Sequence, residues 1–189
     1  MGKALSEMSL EELWQLFPII LTAHKEEWKS WYKEEERLLA TLLPPQAINR
    51  MSHIGSTSIP NIWAKPTIDI LVELVKEWDM SEVKERLLQQ GYTCMSQEEN
   101  RISFNKGYTE KGFAEKVYHL HLRYAGDHNE LFFRDYLLDH PGKAKEYENL
   151  KLSLWKTYEH NREGYTHSKT DFIVDCTQKA KELYKERYH

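Results

Sequence analysis

The sequence predicts an α+β fold: a small mixed β-sheet flanked by helices, with a helical C-terminal part. Three observations predict it. Short β-branched segments cluster between residues 48 and 124, helical periodicity dominates before them, and the pattern after Gly126 is helical throughout. With 189 residues, 40% of them hydrophobic and 12% aromatic, the chain has ample material for one packed domain. Residues 1–45 form its N-terminal helices, 46–126 a sheet core with one helix, and 127–189 the C-terminal helices.

Ser9-Leu10-Glu11-Glu12 reads as a capping box that opens a short helix ending near Ile20. A second helix runs from about His24 to Leu43, with Trp28, Trp31, Leu38, Leu39 and Leu42 along one side, and Pro44-Pro45 stops it. Residues 48–54 read as a first strand. Thr67 to Val75 reads as a second, with Ile68, Ile70 and Val72 facing one way. Asp79 to Gln90 is a helix with a capping box formed by Asp79 and Glu82, closed by Gly91. Tyr92 to Met95, Arg101 to Asn105 and Val117 to Tyr124 are β-like, and the polar stretch Gly107 to Lys116 reads as a mobile lid. Helices follow over Asn129 to Leu138, from Pro141 in the favoured first-turn position, and from Thr166 to Tyr188.

The 26 basic and 30 acidic side chains are interspersed and give a net charge of -4, which argues against general nucleic-acid binding through a basic face. The two cysteines, Cys94 and Cys176, lie far apart, which fits a reduced, cytoplasmic compartment. No apolar run approaches the roughly 20 residues that span a bilayer, and a membrane is not expected as a partner. Met1-Gly2-Lys3-Ala4-Leu5-Ser6 formally fits a myristoylation pattern, but no polybasic patch supports it.

The chemistry is concentrated in His53-Ile-Gly-Ser-Thr-Ser-Ile-Pro, followed by Ala64-Lys-Pro-Thr-Ile-Asp69-Ile. A loop of small hydroxyl residues followed at fixed distance by a strand-borne carboxylate can hold a phosphate beside a metal ion. Gly55 permits close backbone approach, and Ser56, Thr57 and Ser58 offer hydroxyls and N–H groups to phosphate oxygens. Lys65 adds positive charge. The plain alternative is an ordinary strand-to-helix turn capped by Ser and Thr.

These segments resemble the signature of the GrpB family, which is similar in fold to the nucleotidyltransferase superfamily. His119-Leu-His121-Leu, Phe133-Arg134-Asp135-Tyr136-Leu137, His140-Pro141, Tyr147, Lys151, Tyr165-Thr166, Lys169 and Phe172-Ile173 agree with it as well. The resemblance implies that Ser56 contacts phosphate. It also implies that Asp69 is the first metal-binding carboxylate, for Mg²⁺ with Mn²⁺ or Zn²⁺ as alternatives. It departs at Leu71, where superfamily enzymes carry a second acid. Glu73, some 13 Å along the strand at about 3.3 Å per residue, is too far from Asp69 to share one ion and reads as surface charge.

His119 and His121 alternate on one strand, share a face, and are candidates for metal ligation or general-base work. Arg134, Lys151 and Lys169 are candidate phosphate contacts from the helical part, with Arg101 and Lys106 as weaker ones. Each has packing or an ordinary ion pair as its alternative. His53 reads as a structural residue orienting the turn. Two functions compete: metal-dependent transfer of a nucleoside monophosphate from an NTP, and non-catalytic binding of a nucleotide or phosphorylated metabolite through a degenerate metal site. A His-based metal-dependent hydrolase is a third. The aromatic-rich helices leave room for a homodimer.

Overall fold

The structure, a computed structural model, describes residues 3–188; Met1 and Gly2 of the myristoylation-like start lie outside them. In chain order the elements are α1 (Leu10–Leu16), α2 (Glu27–Leu42), β1 (Ile48–Ile54), β2 (Ile68–Leu74), α3 (Met80–Gln89) and β3 (Thr93–Gln97). There follow β4 (Arg101–Thr109), β5 (Gly112–Tyr124), α4 (Asn129–Asp139), α5 (Pro141–Trp155), α6 (Arg162–His167) and α7 (Thr170–Leu183). The strands form one sheet in the order β1-β2-β5-β4-β3. Among the described residues only β2 and β5 run parallel, in a register that sets Asp69 beside His119 and Leu71 beside His121. The expected α+β architecture is present.

One face of the sheet packs under α2 and α3. Ile68, Ile70, Val72, Phe104, Leu120 and Leu122 meet Trp28, Leu39, Val83 and Leu87 there, all essentially excluded from solvent. Each such side chain contributes about 1.5–3 kcal/mol on burial. On the opposite face, Ile54 and Leu71 pack with Leu131 of α4. Behind α4, Tyr136, Leu137, Tyr147, Cys176 and Ala180 join α4, α5 and α7 into a second core. No helix among the described residues is long and apolar enough to cross a membrane.

Several expectations are corrected. The Ser9 capping box forms as read, with the Glu12 amide donating to Ser9 Oγ at 3.2 Å and the Ser9 amide donating to Glu12 at 2.7 Å. Its helix nevertheless stops at Leu16, because Pro18 disfavours helical geometry at Phe17. Asp79 caps α3 by accepting from the Ser81 amide, but Glu82 does not close a box and instead pairs with Arg86 at 3.0 Å. The C-terminal helix is split in two. The Ser168 hydroxyl donates to the Gly164 carbonyl at 2.8 Å and competes with the helical ladder, so α7 restarts at Thr170.

The stretch read as a mobile lid is paired strand and not loop. Residues 107–116 are the tip of the β4–β5 hairpin, paired through Tyr108↔Phe113 and Thr109↔Gly112. Gly107, at φ 93, sits at a bulge where a Cβ would lie 2.4 Å from the Lys116 carbonyl, so the glycine marks an irregularity within a strand. Phe17 pins the tip against Tyr108 and Phe113, with ring centroids 4.8 and 5.1 Å away. Glu73 is fully buried, not surface charge, because β2 is central and covered on both faces. Its carboxylate accepts from His128 Nδ1 at 2.7 Å and lies 3.5 Å from Arg50.

Candidate functional site

The loop after β1 has one backbone solution. Gly55 adopts φ 72 and ψ -177, a region essentially closed to other residues, and a short 3-10 turn over Ser56–Ser58 follows. A Cβ on Gly55 would stand 2.4 Å from Asp69 Oδ2, so glycine is also what lets the loop lie against the carboxylate. Thr57 fastens the turn from beneath. Its hydroxyl donates to the Thr67 carbonyl at 3.0 Å, so the remaining contact, 2.9 Å to His53 Nε2, is a donation from the imidazole. Tyr32 stacks on His53 at 4.8 Å, and burial pushes that imidazole down to about 4. His53 therefore orients the turn, as its position suggested.

Asp69 leaves β2 toward this loop. Its Oδ1 lies 3.5 Å from His119 Nδ1 and 3.4 Å from His121 Nε2. Burial alone would raise this carboxyl, but the two imidazole hydrogen bonds outweigh it and hold the acid well below the usual carboxylate range. On its far side, His119 Nε2 meets the Tyr108 hydroxyl at 2.7 Å, and Arg162 donates to the same hydroxyl at 2.5 Å. The Asp69 carboxylate can only accept, so a neutral His119 carries its proton on Nδ1 facing Asp69, and Nε2 accepts from the Tyr108 hydroxyl, whose oxygen also takes the Arg162 donation.

Gly55, Ser56, Thr57, Thr67, Asp69 and His119 form one wall of a cavity of about 180 Å³. Lys65, Tyr147, Lys151, Tyr165 and Lys169 complete the lining. Three lysines thus share a lining with one carboxylate. Burial pushes Lys65 down to about 7, helped by repulsion from Arg162 and Lys169 and opposed by Asp69. Lys151 is lowered to about 7 by burial and Lys169, and Lys169 to about 8 by burial. Lys151 donates to the Trp63 carbonyl, whose own residue's amide donates to Glu148 at 2.6 Å. Lys169 lies 4.2 Å over the Tyr165 ring.

The structure therefore brings together Gly55, Ser56, Lys65, Asp69, His119, His121, Lys151 and Lys169. It does not bring Arg134 to them. That guanidinium is held by Asp135, the His53 carbonyl at 3.0 Å and the Tyr188 hydroxyl at 3.1 Å, on the other side of the loop. Ser58 is likewise turned away, its hydroxyl donated to the Gly55 carbonyl. Thr57 is a buried brace rather than a free hydroxyl. Arg101 forms a two-pronged pair with Asp127, and Lys106 is taken by Glu35. Tyr108 and Arg162 are site residues that the sequence reading missed. Tyr108 sat in the presumed loop, and Arg162 follows the helix-capping Asn161 with no motif of its own.

The residues present do not fit the divalent ion that the family resemblance implies. Leu71 occupies the second-acid position and packs against Ile54 and Leu131. The remaining acid already accepts two imidazole contacts at one oxygen, and lysines supply the positive charge nearby. Among the described residues, no three His, Cys, Asp or Glu side chains are arranged to hold a metal.

Comparison with known proteins agrees with the motif reading. A family model described as GrpB protein matches residues 18–179. The glutamate-rich protein GrpB of Alkalihalophilus pseudofirmus is 37% identical over 161 residues, covering 82% of this chain and 91% of that one. YqkA of Bacillus subtilis is 34% identical over 184 residues, or 94% of this chain, which spans only 52% of YqkA's length. The crystal structure of the conserved protein GrpB from Enterococcus faecalis superposes with a TM-score of 0.75 at 27% identity, covering 88% of this chain and 100% of that one.

Proposed function

The chain belongs to the GrpB family, and from that premise we propose that it binds the phosphate of a nucleotide or phosphorylated metabolite without needing a divalent metal. The observation that carries this reading is the convergence of Lys65, Lys151 and Lys169 on a cavity with a single carboxylate. Ammonium groups held this closely, with their protons loosened by burial, gain most from a multiply charged anion that restores them. Ser56 and the loop amides direct its oxygens, and Asp69 with its two imidazoles selects against a second anionic group on that wall.

The pH dependence follows from the lysines. With no anion bound, their folded values of about 7 to 8 lie below the ordinary 10.5 of the unfolded chain. Between those limits the unfolded chain binds more protons, so stability of the free protein rises with pH through that window. Anion affinity runs the other way, since a phosphate dianion binds the protonated amines. Calorimetric titration with pyrophosphate in EDTA is expected to show affinity falling at least about tenfold between pH 6.5 and 8.5. Lys169→Met is expected to cost about tenfold to hundredfold at the lower pH.

A second reading, transfer of a nucleoside monophosphate from an NTP to an acceptor hydroxyl, is favoured by one observation: the fixed His119 tautomer. A ligand hydroxyl taking the place of the Tyr108 hydroxyl would hand its proton to His119 Nε2. If nucleotide binds only with Mg²⁺ and only with Asp69 intact, the transfer reading replaces the binding one. Asp69→Asn is the variant that decides it.

A further inference from the structure

The three lysines of the cationic cavity are not equivalent. Lys151 donates to the Trp63 carbonyl, and Lys169 lies 4.2 Å over the Tyr165 ring. Half-buried Lys65 stands apart. Among the described residues its amine has no hydrogen-bond or ion-pair partner, and only burial and the charges of Arg162, Lys169, Asp69 and Lys151 act on it. A second group on the same lining is also without a partner. It is the hydroxyl of Tyr165, a residue only 1% exposed. A buried hydroxyl left unpaired is destabilising, and a ligand oxygen that accepts from it removes that penalty.

The cavity, about 180 Å³, is smaller than the roughly 300 Å³ at which pockets for drug-sized ligands begin. Toward α1 it is bounded by the Arg162–Tyr108–His119 hydrogen bonds, with the Phe17, Tyr108 and Phe113 rings packed against one another behind them. A ligand held here is a phosphate group carrying few further heavy atoms. Ser56, the loop amides, Lys151 and Lys169 suffice for the phosphate, since two ammonium groups offset one dianion. The Lys65 amine is then left for the rest of the ligand. Burial and its cationic neighbours bring it down to about 7, so it is a nucleophile at neutral pH, where an ordinary lysine is almost wholly protonated. The electrophile that suits such an amine is a carbonyl carbon.

Resting on the phosphate-binding reading above, we propose that the ligand is a phosphorylated aldehyde or ketone of few carbons, which Lys65 holds as an imine. The Lys65 nitrogen attacks the carbonyl carbon while the Tyr165 hydroxyl donates a hydrogen bond to the carbonyl oxygen. A C–N bond forms and the C=O bond breaks. The oxygen leaves as water, with the two protons that the neutral amine carried. No electrons are gained or lost, so the step needs no oxidant or reductant. It is reversible, and the grip on the phosphate decides which carbonyl compounds stay beside the amine long enough to react.

The test incubates the full chain with glycolaldehyde phosphate at neutral pH in EDTA, traps any imine with cyanoborohydride, and reads the intact mass and the modified peptide. One predominant adduct is expected, on Lys65, forming at least about tenfold faster than with unphosphorylated glycolaldehyde. Pyrophosphate is expected to suppress it. Lys65→Arg keeps a cation but cannot form an imine, and should lose the adduct. Tyr165→Phe discards an unpaired hydroxyl, so it should melt no lower than its parent yet react at least about tenfold more slowly. Adducts spread over surface lysines, at equal rates with and without phosphate on the aldehyde, would overturn the imine. So would calorimetric binding of pyrophosphate by a protein that traps no adduct, which leaves Lys65 as a third cation for the anion. If pyrophosphate does not bind and no adduct forms, both readings fall together.

Discussion

Gly55→Ala is expected to lower stability by about 3 kcal/mol and to abolish anion binding in the same protein. Two costs combine. The backbone at φ 72 and ψ -177 is strained for any side chain, and the new methyl would sit 2.4 Å from Asp69 Oδ2. The loop must then lift off β2, taking Ser56 away from the lysines. In a chain of this length that cost corresponds to a fall of about 10 °C in melting temperature. Gly91→Ala is the matched control. It also has a positive φ, 82, but nothing lies within 4 Å of its added Cβ, so it should cost about 1 kcal/mol and leave binding alone. A Gly55→Ala protein melting within about 2 °C of its parent would contradict this account of the loop.

Leu71→Asp carries the other large effect. The substitution writes the missing second acid of the nucleotidyltransferase pattern into β2, yet position 71 is fully buried against Ile54 and Leu131. An unpaired carboxylate there is expected to cost about 4 kcal/mol or more, read as a lowered urea midpoint with unchanged slope. Leu71→Met, which keeps volume and polarity, should cost less than about 1.5 kcal/mol. If Leu71→Asp were to fold with parental stability and gain Mg²⁺-dependent nucleotide binding, the site would be a two-carboxylate centre lacking one residue. The binding reading would then give way.

Much of the architecture was legible because its signals are local. Pro44-Pro45, Pro141 and the alternation Ile68, Ile70, Val72 each act within a few residues, and the corresponding elements lie where they were expected. The misreadings share a different cause. Gly107 and Gly112 looked like loop glycines, whereas strand pairing across the hairpin made the first a bulge within β4 and kept the second in the ladder. Glu73 looked exposed because nothing in sequence says that β2 lies inside the sheet between β1 and β5 and that His128 will reach it.

The site divides in the same way. Gly55, Ser56, Lys65, Asp69 and the histidines could be named from motif and strand parity, and Lys151 and Lys169 from the family resemblance. Arg134 could not be separated from the residues that line the cavity, since its ties to the His53 carbonyl and Tyr188 are tertiary. Tyr108 and Arg162 carry no pattern, being joined to His119 only by the fold.

The parallel pairing of β2 with β5 has a consequence for the life of the chain before it is finished. Asp69 and His121 are 52 residues apart and meet only when those strands close upon each other, a slow, entropically expensive contact. Lys151 and Lys169 come later still, Lys151 from α5 and Lys169 from the N-cap position of α7. A nascent polypeptide emerging from the ribosome therefore holds the proposed anion site only in pieces. Under the proposed binding, the ligand meets a complete site only after assembly. It can only act as a latch on molecules already folded, slowing their loss to proteases in proportion to its concentration.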